Sequence, residues 1–285
     1  MNALFITQIL SALRKTSGTH IVWDAGMELL AFGIRNILSC VYPAFIFAML
    51  MLSKVILIPG IPRYDLLLIL CIGMQAFMYF MKWETGAEVL VITLFHLLGL
   101  AMEIYKVSKG SWYYPEFAYS KVYGVPLYSG FMYASVGSYV CQAWRWLSLR
   151  MENWPGIIIA GLISAAIYLN FFTHHYIYDF RWIITLVLII AFWKTKVTYM
   201  ANGVTRKMPL VLAFLLIGFF IWIGENMATF LGAWKYASQH EGWKMVSLGK
   251  ISSWFLLVVL SIVIVVQLKF TKHKITGSVP IPRSS

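Results

Sequence analysis

The chain has 285 residues, 60% of them hydrophobic and 12% charged, with a formal net charge of +12. So small a charged share excludes a soluble globular domain, which could not hide this much apolar surface from water. The excess of lysine and arginine does not point to nucleic acid. Many of these residues sit at the ends of apolar runs, where positive charge orients a membrane protein.

Residues 2–15 read as a short amphipathic helix on the membrane surface, with Leu4, Ile6, Ile9, Leu10 and Leu13 mostly on one side. Residues 22–37 are apolar but carry Asp24, Glu28 and Arg35, which predicts a second interfacial or re-entrant helix running into the first span. A membrane helix needs roughly 20 apolar residues. Eight runs are read as spans: 38–58, 64–81, 86–105, 127–147, 156–172, 177–193, 208–226 and 248–268. The expected fold is all-α and polytopic, with about eight transmembrane helices in two parallel four-helix repeats. Its divisions are an interfacial segment over 1–37, a first repeat over 38–150, a second over 151–268, and a basic cytoplasmic tail over 269–285. Fourteen of the 23 lysines and arginines fall on the side holding both termini. That bias predicts a plasma-membrane protein with both termini in the cytoplasm. Cys40, Cys71 and Cys141 lie in or beside apolar runs without CxxC spacing, so no disulfide framework is expected. The N-terminus lacks a basic stretch and a small-residue cleavage site, so a cleaved signal peptide is not expected.

The repeat is read from one loop that occurs twice. Glu103 is followed after six residues by Gly110-Ser111-Trp112-Tyr113-Tyr114, and Glu225 after six residues by Gly232-Ala233-Trp234-Lys235-Tyr236. Both copies spell Glu-(x6)-Gly-x-Trp-x-Tyr, and four identities at one spacing indicate an internal duplication. Tyr64-Asp65 and Tyr178-Asp179 open corresponding spans. Corresponding spans are four apart and run in the same direction, which makes the repeats parallel.

On this topology the polar residues converge at the outer ends of the spans. Glu103, Glu225, Asp65, Asp179 and His96 are the candidate acid–base groups. Trp112, Tyr114, His174, His175, Trp234 and Tyr236 are the candidate ligand-binding groups. His96, Gly99 and Glu103 share one helix face, and Gly99 leaves room there. A carboxylate at the end of an apolar helix is costly unless paired, hydrated or functional. Each residue also has a plainer role. The tryptophans and tyrosines suit an interfacial aromatic belt, and the aspartates suit helix N-caps. The glutamates suit ion pairs with Lys106 or Lys235, or hydrogen bonds to a loop. Gly130, Ala134 and Ser138, and likewise Gly161 and Ala165, suit close helix packing. His174, His175 and Asp179 suggest a metal, but adjacent histidines diverge on a helix and no third ligand is evident, so no metal is assigned. No P-loop, GxSxG, HExxH or CxxC occurs, and no cofactor is legible.

Several stretches carry a family resemblance. They include Pro62-Arg63-Tyr64-Asp65-Leu66-Leu67, Leu94-Phe95-His96, Gly124-Val125-Pro126-Leu127, Gly130-Phe131-Met132-Tyr133-Ala134, Tyr168 to His175, and Glu225-Asn226. In these the chain resembles a bacterial family of integral membrane proteins, domain of unknown function 817, over roughly residues 20–268. That resemblance implies a multi-pass membrane protein and no particular chemistry. On fewer residues, Glu103, Gly110, Tyr114 and Gly124-Val125-Pro126-Leu127, the chain is similar to membrane carotenoid hydratases. Its tandem Glu loops look like those of membrane lycopene cyclases. Those families imply protonation of a polyene by an acid, with aromatic faces near the cation. Lys106 and Lys109 depart from the hydratase pattern.

The expected function is therefore an outward-facing carboxylate and aromatic site for acid–base chemistry on an isoprenoid or other lipid. The expected partners are the lipid bilayer and an apolar or isoprenoid ligand, with no nucleic acid. A transporter or small-molecule binding protein and a structural membrane subunit are the alternatives. An apolar pocket entered from the lipid would favour the first reading, and a continuous polar path from the inner side would favour transport.

Overall fold

A computed structural model describes residues 21–56 and 58–276. The amphipathic helix expected over 2–15, and the tail beyond residue 276, lie outside them. Nine α-helices occur among the described residues: α1 Ile21–Ser39, α2 Val41–Val55, α3 Arg63–Phe80, α4 Gly86–Ser108, α5 Tyr128–Trp146, α6 Ile157–Thr173, α7 Arg181–Phe192, α8 Leu210–Phe230 and α9 Lys250–Thr276. Each of the eight predicted runs overlaps one of α2–α9.

By length and apolarity only four helices qualify to cross a membrane, α3, α4, α8 and α9. A fifth span arises if α1 and α2, bent by 65° at their junction, count as one. That is fewer than the eight expected from the sequence. At 17 and 12 residues, α6 and α7 are short: α6 runs only from the Trp154-Pro155-Gly156 break to the His174-His175 turn, and α7 only from residue 181 to the turn at 193–194. α5 fails for another reason. Its Ser129, Gly130, Ser135, Gly137, Ser138 and Gln142 are buried, so it is a packing hub whose small and polar side chains meet protein.

The fold is mostly helical but not all-α. Three small sheets form from β1 Trp112–Tyr113 with β7 Lys235–Tyr236, β2 Lys121–Val122 with β3 Val125–Pro126, and β4 Arg150–Glu152, β5 Lys196–Ala201 and β6 Val204–Pro209. The β5–β6 hairpin replaces the plain loop expected at 194–207. Its signal was legible: Asn202-Gly203 between two alternating runs, with both φ angles positive, is the preferred two-residue hairpin turn.

Hydrogen bonds fix the helix directions. Lys54 reaches the Phe230 carbonyl, so α2 and α8 end together. Tyr105 reaches the Phe172 carbonyl, so α4 and α6 end together. Arg181 meets Ser252, bringing the starts of α7 and α9 to that same end of the molecule. At the opposite end Lys269 of α9 meets Glu88 in the first turn of α4, where Thr85 and Glu88 close a capping box. The helices α2–α9 thus alternate in direction.

Large apolar side chains remain exposed along the bundle, among them Leu90, Phe80, Ile158, Ile190 and Phe220. So extensive an apolar exterior belongs against lipid rather than water. The chain is a membrane protein. Gly161 and Ala165, expected to pack helices, face outward, and a Cβ at Gly161 would meet open space. The close approach is instead at Gly218, where a Cβ would lie 2.8 Å from the Phe255 backbone nitrogen.

Candidate functional site

The two Glu loops are built alike from the helix ends upward. Gly110 and Gly232 take φ of +68° and +72°, the left-handed conformation that stops a helix and that glycine adopts without strain. Their amides reach the Val107 and Thr229 carbonyls, and the next residues, Ser111 and Ala233, reach Lys106 and Ala228. All four bonds match between the copies. Beyond each glycine the chain forms one short strand, and β1 and β7 pair antiparallel with Tyr113 opposite Lys235. Those two residues hold the same position in the repeat.

The pairing turns aromatic donors onto the carboxyl groups. Tyr114 donates to Glu103 at 2.8 Å and Tyr236 to Glu225 at 2.5 Å, each tyrosine eleven residues after its glutamate. Glu103 also accepts from Trp112 Nε1 at 2.6 Å and from the Tyr133 hydroxyl at 2.6 Å. Glu225 accepts from Trp254 Nε1 at 2.8 Å. Both glutamates are buried. Neither forms an ion pair among the described residues; of the two plainer roles expected, the hydrogen bonds to the loops are present and the pairing with Lys106 or Lys235 is not. The two groups are bridged by rings: Trp112 packs on Tyr236 at 5.8 Å and Tyr133 on Trp254 at 6.3 Å. The Lys250 ammonium lies 5.2 Å and 4.7 Å from the Trp112 and Tyr236 ring centroids.

Glu103 and Glu225 line one cavity of about 900 Å³. Its far wall is apolar and draws on α1, α2, α5 and α8. Ile37 and Phe220, at 71% and 66% exposure, line it and also face outward, so it reaches the lipid-facing surface there. Toward the β4–β6 sheet the lining is Leu147, Leu149, Met151, Val197, Met208 and Leu210 with Tyr199, without a charged side chain.

Other expected site residues stand in different places. Trp112, His174, Trp234 and Tyr236 line the cavity, whereas Tyr114 lies behind Glu103 and His175 behind His174. Asp65, Asp179 and His96 do not line it. Asp65 accepts the Tyr119 and Ser120 amides and so pins the first loop; the α3 N-cap is Pro62. Asp179 pairs with Arg181 at 3.2 Å and accepts from Asn170, contacts that outweigh its partial burial and hold its carboxyl below the ordinary range. His96 turns away between α4 and α5 onto Phe131, 4.4 Å between rings, where Gly130 admits it. Gly99 does leave room, and Tyr133 fills it: a Cβ there would come within 2.6 Å of three Tyr133 atoms. Tyr64 is buried and Tyr178 exposed, so the two Tyr-Asp pairs differ in surroundings.

His174 and His175 lie in the turn after α6, not on a helix, and therefore converge. Both Nε2 atoms approach Lys106 Nζ, at 3.2 Å and 3.0 Å. His174 Nδ1 faces the Asn170 carbonyl, which only accepts, so Nδ1 carries the proton and Nε2 receives the Lys106 bond. Lost hydration, joined by the Lys106 charge, holds both imidazoles below the ordinary histidine range. A lysine occupies the point where a metal would sit, and no three-ligand metal cluster occurs among the described residues. Tyr133, Trp254, Lys250 and Arg181 were not legible as site residues. Each is brought in by helix pairing, although Tyr133 sits inside a quoted family stretch.

A protein of Bacillus subtilis (strain 168), "Uncharacterized protein YoaT", is 56% identical over 247 residues, covering 87% of this chain and 94% of that one. Among solved structures, a cross-linked trimer of MvINS aligns over 70% of this chain and 98% of its own at 14% identity. Its TM-score of 0.47 is too low to carry an argument. The family model described as protein of unknown function (DUF817) matches residues 28–262, and the chain belongs to that family.

Proposed function

We propose that the chain draws an isoprenoid or other lipid from the bilayer into this cavity and that Glu103 and Glu225 move protons at its polar end. The observation that carries the reading is the carboxyl pair at the end of an apolar cavity of about 900 Å³, a volume typical of small-molecule sites. Ile37 and Phe220 supply the lateral entry. Inside, five O–H and N–H donors hold the carboxyl oxygens in fixed positions, which acid–base work requires. The apolar lining toward the β4–β6 sheet weighs against a transport path. One feature also separates this site from polyene hydration: Lys250 already occupies the Trp112 and Tyr236 faces that would meet a carbocation.

A lipid ligand should survive purification. Mass spectrometry of extracts from the detergent-purified full chain is expected to find a bound lipid at near-stoichiometric amount. Ala213→Trp, which fills the cavity from α8, should lose it while remaining folded. Equal lipid content in both proteins, or none in either, would overturn the reading.

The same reading includes the architecture. Helices α2–α9 form two parallel four-helix units within 38–150 and 151–268, and the shorter helices complete eight passes. The matched glycine caps and the β1–β7 register centred on Tyr113 and Lys235 support this. The glutamate end faces outward and both termini are cytoplasmic, in the bacterial plasma membrane. A cytoplasm-active reporter fused after Ser285 should give signal, and one inserted within 113–122 should not. The opposite pattern would invert the orientation.

A further inference from the structure

The polar end of the cavity holds more positive charge than its own groups engage. Lys106, Arg181 and Lys250 all line it, and Lys250 and Arg181 both lie within electrostatic reach of Lys106. Lys106 is only 5% exposed. Its ammonium contacts two imidazole nitrogens, and neither it nor Lys250 is in an ion pair among the described residues. Arg181 is half engaged, with Asp179 and Ser252. The two acidic groups of the lining, Glu103 and Glu225, turn their oxygens to tyrosine and tryptophan donors instead. A buried ammonium such as that of Lys106, without an anion in contact, is expensive; Lys250 is half-buried and feels Glu225 and Glu103 only through space, so a ligand anion would give both a direct partner.

We propose that the ligand is an amphiphile with a phosphate headgroup, held by Lys106, Lys250 and Arg181, its tail lying in the apolar cavity. The inference rests on the lipid reading above and names the headgroup. Phosphate fits for geometric reasons. Its oxygens accept from several directions, so two ammonium groups and part of a guanidinium fork can engage it together. Lys106 keeps one N–H beyond the two directed at His174 and His175. Proton-handling carboxyls next to such a headgroup would act on its ester or on the first carbons of the tail.

The test compares three probes on the full chain in detergent: farnesyl phosphate, farnesol and inorganic phosphate, with binding read by native mass spectrometry. Farnesyl phosphate is expected to bind about tenfold or more tighter than farnesol, as charge-assisted bonds would give. Lys106→Gln and Lys250→Gln should each remove most of that preference and leave farnesol binding unchanged, which also reports that the variants fold. Lys250→Arg should retain the preference. Equal affinity for the phosphate and the alcohol would end the headgroup inference and leave the lipid site standing. Failure of both farnesyl probes would remove the lipid reading itself. Inorganic phosphate displacing farnesyl phosphate at equal concentration would show a free-anion site and overturn the amphiphile.

Discussion

Glu103→Leu is expected to destabilise the protein by about 3–6 kcal/mol, whereas Glu103→Gln is expected to stay within about 1 kcal/mol of the parent. Leucine leaves Trp112 Nε1 and the Tyr114 and Tyr133 hydroxyls without their acceptor. Each buried donor so stranded costs about 1–3 kcal/mol. Glutamine keeps one oxygen, which can receive Trp112 and Tyr114 as the Oε2 atom does now. Its amide then faces Tyr133, whose hydroxyl can accept instead of donate. Stability and function should therefore separate. Glu103→Gln and Glu225→Gln should reach the membrane at normal abundance and lose proton transfer, with a drop of about 10²–10⁴ in turnover once the reaction is assayed. Unfolding in mixed detergent micelles checks the first part. If the glutamine variants are as unstable as the leucine variant, the carboxyl groups are structural and the proposed role is lost.

Arg63→Met is expected to cost about 3–5 kcal/mol, because one buried guanidinium ties four separate parts of the chain. Its side chain is 8% exposed. It donates to the Leu50 and Leu231 carbonyls at 3.0 Å and 2.8 Å, to Ser53 Oγ at 3.0 Å, and to Glu116 at 2.6 Å. It also reaches the Gly232 carbonyl at 3.3 Å. Glu116 is 38% exposed, so solvent screens that ion pair and most of the loss comes from the carbonyls. Arg63→Lys should recover only part of the stability, since a single ammonium can replace Nη2 between the Leu50 and Leu231 carbonyls but cannot also reach Ser53, Glu116 and Gly232 as Nε and Nη1 do. A methionine variant that unfolds within about 1 kcal/mol of the parent would show that Arg63 is not a clamp on the second Glu loop.

The residues of the candidate site were unevenly legible. Glu103, Glu225, Trp112, Tyr114, Trp234 and Tyr236 stood out because the chain spells them twice at one spacing. The repeat also placed Gly110 and Gly232, whose positive φ explains why the motif needs glycine. The β5–β6 hairpin was legible too, from Asn202-Gly203 between alternating runs, but a polar stretch between apolar runs reads first as a loop. Apolarity counted α5 as a span, because its glycines and serines leave no trace of whether they meet lipid or protein. Asp65 and Asp179 shared a level along the helices with the glutamates, and His96 a helix face with Glu103, but neither fixes where a side chain points once the helices pack.

The amino-acid sequence by itself determined that the chain lives in a membrane, where its helices begin and, the end of α9 apart, where they end to within a few residues, and that two loops carry a glutamate in the same motif. These follow from local properties: hydropathy, helix-breaking prolines and glycines, and spacing along one strand of chain. Only the tertiary structure decided what each carboxyl meets. Tyr133 reaches Glu103 through the gap at Gly99, and Trp254 reaches Glu225 from a helix that begins 25 residues later at Lys250. Lys106, which the sequence offered as a partner for Glu103, turns to His174 and His175 instead. The physical reason is that partner choice depends on the rotation of each helix about its axis. Packing of distant side chains sets that rotation, and no pattern within a single helix encodes it.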